Sequence, residues 1–343
     1  MNFRVDRWSA VALRSSLVIL TTVGALLLSS CGGSGQSSQT KRFKPTRMIV
    51  FGDESSLLLP PITPNGIDSL KYTNNGFTPG TTTLDCSGNP LWVQTLALRF
   101  SLEFAECNPT PATPAAQMRA KAFAKVEGTD GLVAQVDAFL ASTPGNKAVP
   151  TDLITIMVGT NDILELYDRV TNSANPAPLS QAAAVAEAKR RASVFAAQVD
   201  RLTNRDNTLG RVMYSTLPEV NLTPFGRSKS PADQSLLFLL TDSFNLEMRS
   251  KVYDNGRSRG FLKTDQLFRN VTDSVNSGDQ STGIINARDP VCGTLPVLSC
   301  VPSTLVPGAT VNNYLWADNI HFSYAAHSFL GTNAIDLATS LPW

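Results

Sequence analysis

Histidine is nearly missing from this chain: His321 and His327 are the only two in 343 residues. Two imidazoles six apart, with no carboxylate–histidine cluster around them, make a poor metal site, so no metal or organic cofactor is expected. Any chemistry that needs an imidazole base must use one of the two. A basic excess is missing as well. The chain has 29 Lys and Arg against 28 Asp and Glu; the first thirty residues hold three Arg and one Asp, leaving 26 against 27. A nucleic-acid partner calls for a basic surplus, and none is present. Cysteine is sparse, five in all, and no spacing among them resembles a zinc site. Beyond residue 30 no run is long and apolar enough to cross a bilayer. Neither a repeat nor a low-complexity break interrupts residues 46–343, so they are expected to form one domain.

The first thirty residues stand apart. Arg4, Arg7 and Arg14 precede an apolar run from Leu17 to Leu28, too short to span a membrane and followed by small residues. That is the pattern of a secretory signal peptide over residues 1–30. Its end, Leu28-Ser29-Ser30-Cys31, looks like a bacterial lipobox, where cleavage before Cys31 leaves a thiol to carry lipid. Residues 31–45 have the Gly/Ser/Gln composition of a flexible tether. Gly32 after the cysteine, rather than Asp, resembles the sorting signal for the outer membrane. A lipoprotein of the bacterial cell envelope, held to a membrane by its N-terminal lipid, is therefore expected. With Cys31 lipidated, Cys86, Cys107, Cys292 and Cys300 remain, an even number in an exported chain and so two disulfides. Of three possible pairings, the sequence-local one, Cys86–Cys107 with Cys292–Cys300, is expected.

"RMIVFG" (residues 47–52) reads as a buried strand. "DLITIMVG" (152–159) is apolar without alternation, as a strand covered on both faces should be. "RVMYSTLP" (211–218) is a further strand, and "GFLKTDQLF" (260–268) reads as a short strand followed by a turn. Between them lie helical patterns: 90–100, which opens on proline; a stripe of Val185, Ala188, Ala192, Phe195, Val199 and Leu202; and 235–252. Strands alternating with helices imply a parallel sheet with helices on both faces, an α/β fold. Ligands bind such sheets at the carboxyl ends of the strands.

Several candidate residues fall at those ends. Asp318 lies three residues before His321, where a carboxylate can hold Nδ1–H and leave Nε2 free to take a proton. By spacing alone, a surface acid and a satisfied core histidine is the favoured reading of the two. His327 reads as packing or surface. Gly159-Thr160-Asn161-Asp162 follows a buried strand, so the Asn161 amide could point at a developing oxyanion; a plain helix cap is the alternative. Gly88 precedes a helix, and its N–H could serve as a second oxyanion donor.

Taken in order, "VFGDESS", "SGNPLWVQTLA", "VGTNDIL" and "WADNIHFSYAAH" resemble the four motif blocks of the SGNH/GDSL hydrolases. The resemblance extends over nearly the whole chain after the leader. It implies a flavodoxin-like three-layer α/β/α sandwich with a central parallel sheet, and esterase, lipase or acylhydrolase activity on a small-molecule, lipid or glycan ester. It also implies His321 as general base, Asp318 as its orienting carboxylate, and Gly88 and Asn161 as oxyanion donors. The first block departs from the family's Gly-Asp-Ser: Glu54 follows Gly52-Asp53. Aligned without a gap, Glu54 takes the nucleophile position and Ser56 matches a second serine. With one residue inserted, Ser55 becomes the nucleophile, and a serine hydrolase working through Ser55 is the leading expectation. The alternatives are a non-catalytic lipoprotein that binds an acyl or glycan ligand, and a hydrolase in which Glu54 acts on water. A carboxylate at position 54 would hold His321 protonated.

Overall fold

The computed structural model describes residues 43–340 apart from 65, 109, 111–114, 145–146, 204–208 and 254–255. The signal peptide expected over residues 1–30, Cys31 and nearly all of the expected tether lie outside the described residues.

The central sheet has five parallel strands: β1 (Arg47–Gly52), β2 (Ala116–Met118), β3 (Asp152–Met157), β4 (Arg211–Ser215) and β5 (Arg259–Leu262). Their order is β2-β1-β3-β4-β5, the flavodoxin-like arrangement, whose switch point lies between β1 and β3. The helices are α1 (Trp92–Arg99), α2 (Leu132–Ser142), α3 (Thr160–Thr171), α4 (Gln181–Leu202), α5 (Pro224–Arg227), α6 (Pro231–Lys251), α7 (Thr264–Ser277) and α8 (Tyr324–Thr339). A separate two-stranded parallel ribbon joins β6 (Asn286–Pro290) to β7 (Tyr314–Trp316).

Alternation along β1 builds the three layers. Met48 and Val50 enter one core with Trp92, Leu96, Phe268 and Leu330, so α1, α7 and α8 cover that face. Ile49 and Phe51 enter the other with Phe139, Ile163, Phe195 and Leu240, so α2, α3, α4 and α6 cover the opposite one. Every residue of β3 is buried, which is why its sequence shows no polar alternation. This is the α/β/α sandwich that the strand–helix alternation implied.

The ends of elements follow local chemistry. Helix α4 starts at Gln181, with the Ser180 hydroxyl accepting from the Ala183 N–H. Helix α6 starts four residues before the apolar run expected from 235, because Ser230 caps it and Pro231 opens it. One expectation is corrected: residues 263–268 are not a turn after a short strand. The strand ends at Leu262 and α7 begins at Thr264, where Phe268, Val271 and Thr272 form its buried stripe. The segment 260–268 spans two elements, joined at Lys263.

Both expected disulfides are present, Cys86–Cys107 and Cys292–Cys300, with Cα–Cα distances of 5.2 and 5.6 Å. They close loops on the α1/α8 face, and the Asn75 N–H joins the two regions by donating to the Cys300 carbonyl at 2.8 Å.

Asp162, at the start of α3, has no exposed surface. Its carboxylate accepts from Arg191 Nη1 at 3.0 Å and from the Val126 N–H at 2.9 Å. Burial pushes its carboxyl up to about 6 against the pull of Arg191. Removing one partner of such a pair strands a buried charge, so Arg191→Ala is expected to cost about 3–5 kcal/mol of stability. Urea unfolding at pH 7 checks this; a loss below about 1 kcal/mol would show that Asp162 does not depend on Arg191.

Candidate active site

The site begins where β1 stops. Gly52 lies at φ +142°, and a Cβ there would run into the Met157 carbonyl, so only glycine allows β1 and β3 to end side by side. Asp53, almost wholly buried, donates its N–H to the Met157 carbonyl at 3.1 Å. Its Oδ1 accepts from the Ser55 N–H at 3.0 Å. That capped turn projects Glu54 over the switch point.

Glu54 is only 2% exposed yet fully engaged. Its Oε2 accepts from the Phe123 N–H at 2.7 Å. Asn161 Nδ2 donates to the same carboxylate, at 3.0 Å from Oε1 and 3.1 Å from Oε2. Asn161 is presented by the first turn of α3, which Gly159 introduces at φ +134° with Phe244 and Leu217 packed where a side chain would be.

The third element is the tight turn after β7. Asp318 Oδ1 accepts from the N–H groups of Ile320 (2.9 Å) and His321 (2.7 Å), and Oδ2 lies 2.7 Å from His321 Nδ1. The Ala317 N–H closes the turn on the His321 carbonyl at 2.8 Å. His321 Nε2 then faces Glu54 Oε1 at 3.7 Å, an ionic contact too long for a hydrogen bond. The Tyr72 ring lies against the imidazole with centroids 5.2 Å apart.

The charges settle as a consequence. Burial opposes a charged imidazole, but the hydrogen bond to Asp318 and the contact with Glu54 outweigh it and push His321 up to about 9. Burial also opposes the Glu54 and Asp318 carboxylates, yet His321 and their N–H donors hold both below the usual range. Asp53 goes the other way, raised by burial and by its neighbour Glu54. At neutral pH the centre is carboxylate, imidazolium, carboxylate.

The residues read from the sequence are distributed unevenly around this centre. Asp318, His321, Asn161 and Glu54 come together. Ser55 does not join them: its N–H goes to Asp53, it lies beside that carboxylate, and among the described residues it makes no hydrogen bond to His321. Ser56 is buried, its Oγ accepting from Trp92 Nε1 at 3.2 Å. The Asn161 amide donates to Glu54 and, at 3.2 Å, to the Ala124 carbonyl. The Gly88 N–H donates to the Asp85 carbonyl at 2.9 Å. Both groups read as oxyanion donors thus have internal acceptors. His327 is packing: it has no exposed surface and lies 5.4 Å from the Phe322 ring. Among the described residues no three His, Cys, Asp or Glu side chains converge as a metal ion would require.

Three residues at the site carried no signal in the sequence. Tyr72 and Phe123 sit in irregular segments without periodicity. Lys71 is completely buried, its Nζ donating to the Cys86 carbonyl at 2.8 Å and the Gly88 carbonyl at 2.6 Å. Burial pulls its ammonium down to about 7. A lysine in a polar loop reads as surface; only its neighbours in space reveal it as the clamp of the Gly88 loop.

No family model matches the chain, and no curated protein matches it in sequence. Among solved structures it is similar to a variant of an acetyl-xylooligosaccharide esterase from Geobacillus stearothermophilus, at 12% identity and a TM-score of 0.44 over 88% of this chain and 97% of that one. It is also similar to an α/β hydrolase enzyme from the metagenome of Lake Arreo, Spain (12%, 0.43, 86% and 96%). A third is an extracellular lipase from Streptomyces rimosus (13%, 0.38, 86% and 100%). At these identities and scores the likeness assigns no chemistry to this chain.

Proposed function

We propose that this protein is an ester hydrolase in which the Glu54 carboxylate and the His321 imidazolium, held by Asp318, work as a base–acid pair on water and a carboxylic ester. One observation carries the reading: a carboxylate, not a hydroxyl, faces the free nitrogen of the imidazole, 3.7 Å away. The shifts described above leave each group in the protonation state its role requires. Glu54 takes a proton from water as the water oxygen bonds to the ester carbonyl carbon. His321 gives its proton to the leaving alkoxide as the carbon–oxygen bond breaks. Proton transfer from Glu54 to His321 restores the pair, and the net reaction consumes one water and releases acid and alcohol. A seryl route through Ser55 lacks the contact with His321 that it needs.

The second reading is a ligand-binding protein without turnover. It is favoured by the internal bonds of Asn161 and Gly88, which leave neither of these two donors idle as acyl transfer would require. In either case the leader pattern that ends just before Cys31 and the two disulfides support a lipid-anchored protein of the bacterial envelope, outside the reducing cytosol.

Turnover of a p-nitrophenyl ester series by the purified protein tests the assignment. Glu54→Gln is expected to lower kcat by about 100-fold or more, the usual share of a positioned base, while Ser55→Ala stays near the parent. Loss of activity in Ser55→Ala with retention in Glu54→Gln overturns the carboxylate assignment. A folded parent that turns over no ester supports the binding reading.

A further inference from the structure

Phe123 stands beside Glu54 in an unusual state. The residue is 64% exposed, and its backbone lies at φ +57°, a conformation that bulky side chains avoid. A lone exposed phenylalanine is ordinary on a protein surface. What distinguishes this one is that it is held there. The Arg119 N–H donates to the Val50 carbonyl at 2.8 Å and the Lys121 N–H to the Gly52 carbonyl at 3.0 Å. The Phe123 N–H binds Glu54, the Ala124 carbonyl accepts from Asn161, and the Val126 N–H binds Asp162. Five anchors, two to β1, one to Glu54 and two to the first turn of α3, thus fix a short segment in a strained form, with its apolar ring facing water. Strain that the surroundings over-determine concentrates at functional sites.

The ring also has a backing. Tyr72 meets Phe123 edge-on, with centroids 5.9 Å apart and planes at 80°, and the same tyrosine lies against His321. One aromatic wall therefore runs from the imidazole to solvent and ends in an open ring.

We propose that Phe123, backed by Tyr72, is a stacking platform for a flat ring carried by the substrate next to its scissile ester bond. This rests on the ester-hydrolase reading and adds a substrate class to it. A flat face gains most from another flat face laid against it, through dispersion and offset stacking. A flexible alkyl chain gains more from a concave aliphatic channel than from one open ring. The platform is part of the binding surface; protons move at Glu54 and His321.

The test separates binding from turnover. Benzylacetone and heptyl methyl ketone are non-hydrolysable mimics of a benzyl ester and an alkyl ester, the alkyl ketone being the more apolar. Titration of the full folded protein, followed by tryptophan fluorescence, is expected to show benzylacetone binding about fivefold tighter. Phe123→Asn keeps the N–H to Glu54 and tolerates positive φ. It is expected to weaken benzylacetone about fivefold and leave the alkyl ketone within about twofold, while Phe123→Trp restores the preference. Equal affinity for the two ketones, or equal losses in Phe123→Asn, overturns the platform. A protein that prefers benzylacetone yet hydrolyses no benzyl ester keeps the platform and loses the hydrolase reading. Hydrolysis without the preference does the reverse.

Discussion

Glu54→Ser is expected to turn a protein that a fluorophosphonate probe leaves untouched into one labelled stoichiometrically at position 54. In the parent the carboxylate occupies the space before His321 Nε2 and helps keep the imidazole charged, so there is neither a hydroxyl in place nor a base to activate one. The substitution changes both. With only Asp318 left beside the imidazole, one of the two carboxylates sustaining its charge is gone, and its pKa falls from about 9 toward the ordinary value near 6.5. The Phe123 N–H and an Asn161 amide hydrogen, now bound to Glu54, lose their acceptor and converge on the vacated space. Donors so placed are what a tetrahedral oxyanion needs. Leaving them unpaired costs about 1–3 kcal/mol each until water or substrate fills the space, so the variant is expected to be less stable than its parent while gaining labelling. Peptide mass spectrometry locates the adduct, and adding His321→Ala is expected to abolish it. A folded Glu54→Ser protein that stays unlabelled would show that position 54 is not the reacting position. An adduct on Ser55 in the parent would place the chemistry one residue on.

How much of this could be seen beforehand depended on whether a property is local along the chain. The strands β1 and β3 were legible because burial on both faces forces unbroken apolar runs. Asp318 and His321 were legible because one turn of three residues makes the whole interaction, with Asp318 bonding both the backbone and the ring of His321. Glu54 was visible as an anomaly, but its meaning was not. That Asn161 and Phe123 bind its carboxylate rests on bonds spanning 107 and 69 residues. The resemblance assigned Asn161 and Gly88 their roles by position, whereas their hydrogen bonds run to Glu54, Ala124 and Asp85. Helix α7 was misread as a turn because its first residues, Thr264, Asp265 and Gln266, are polar and follow Lys263 directly after the apolar end of β5. Lys71 shows the limit most clearly: nothing in "SLKYTNN" marks its ammonium as fully buried.

The second histidine leads to the other large effect. His327, on α8, has no exposed surface, and neither ring nitrogen has a partner among the described residues. Burial, with the nearby charges of Lys71 and His321 adding to it, pulls its pKa down to about 3. The folded value lies below the unfolded one, so between pH 6.5 and 3 the unfolded chain binds the extra proton. His327 thus leaves stability intact above pH 6.5 and removes it as the pH falls, by about 4 kcal/mol once pH 3 is reached. His327→Leu, close in volume and without ionisable atoms, is expected to be at least as stable as the parent at pH 8, since it also removes two unpaired buried nitrogens. Its advantage should widen to about 3 kcal/mol more at pH 4. The raised carboxyl of Asp162 titrates in the same range, but it is common to both proteins and cancels in the difference. Urea unfolding at pH 8, 6, 5 and 4 measures it. Two curves that run parallel through acid would mean that His327 charges in the folded protein as easily as in the unfolded one, and that Lys71 and His321 lie too far away to resist it.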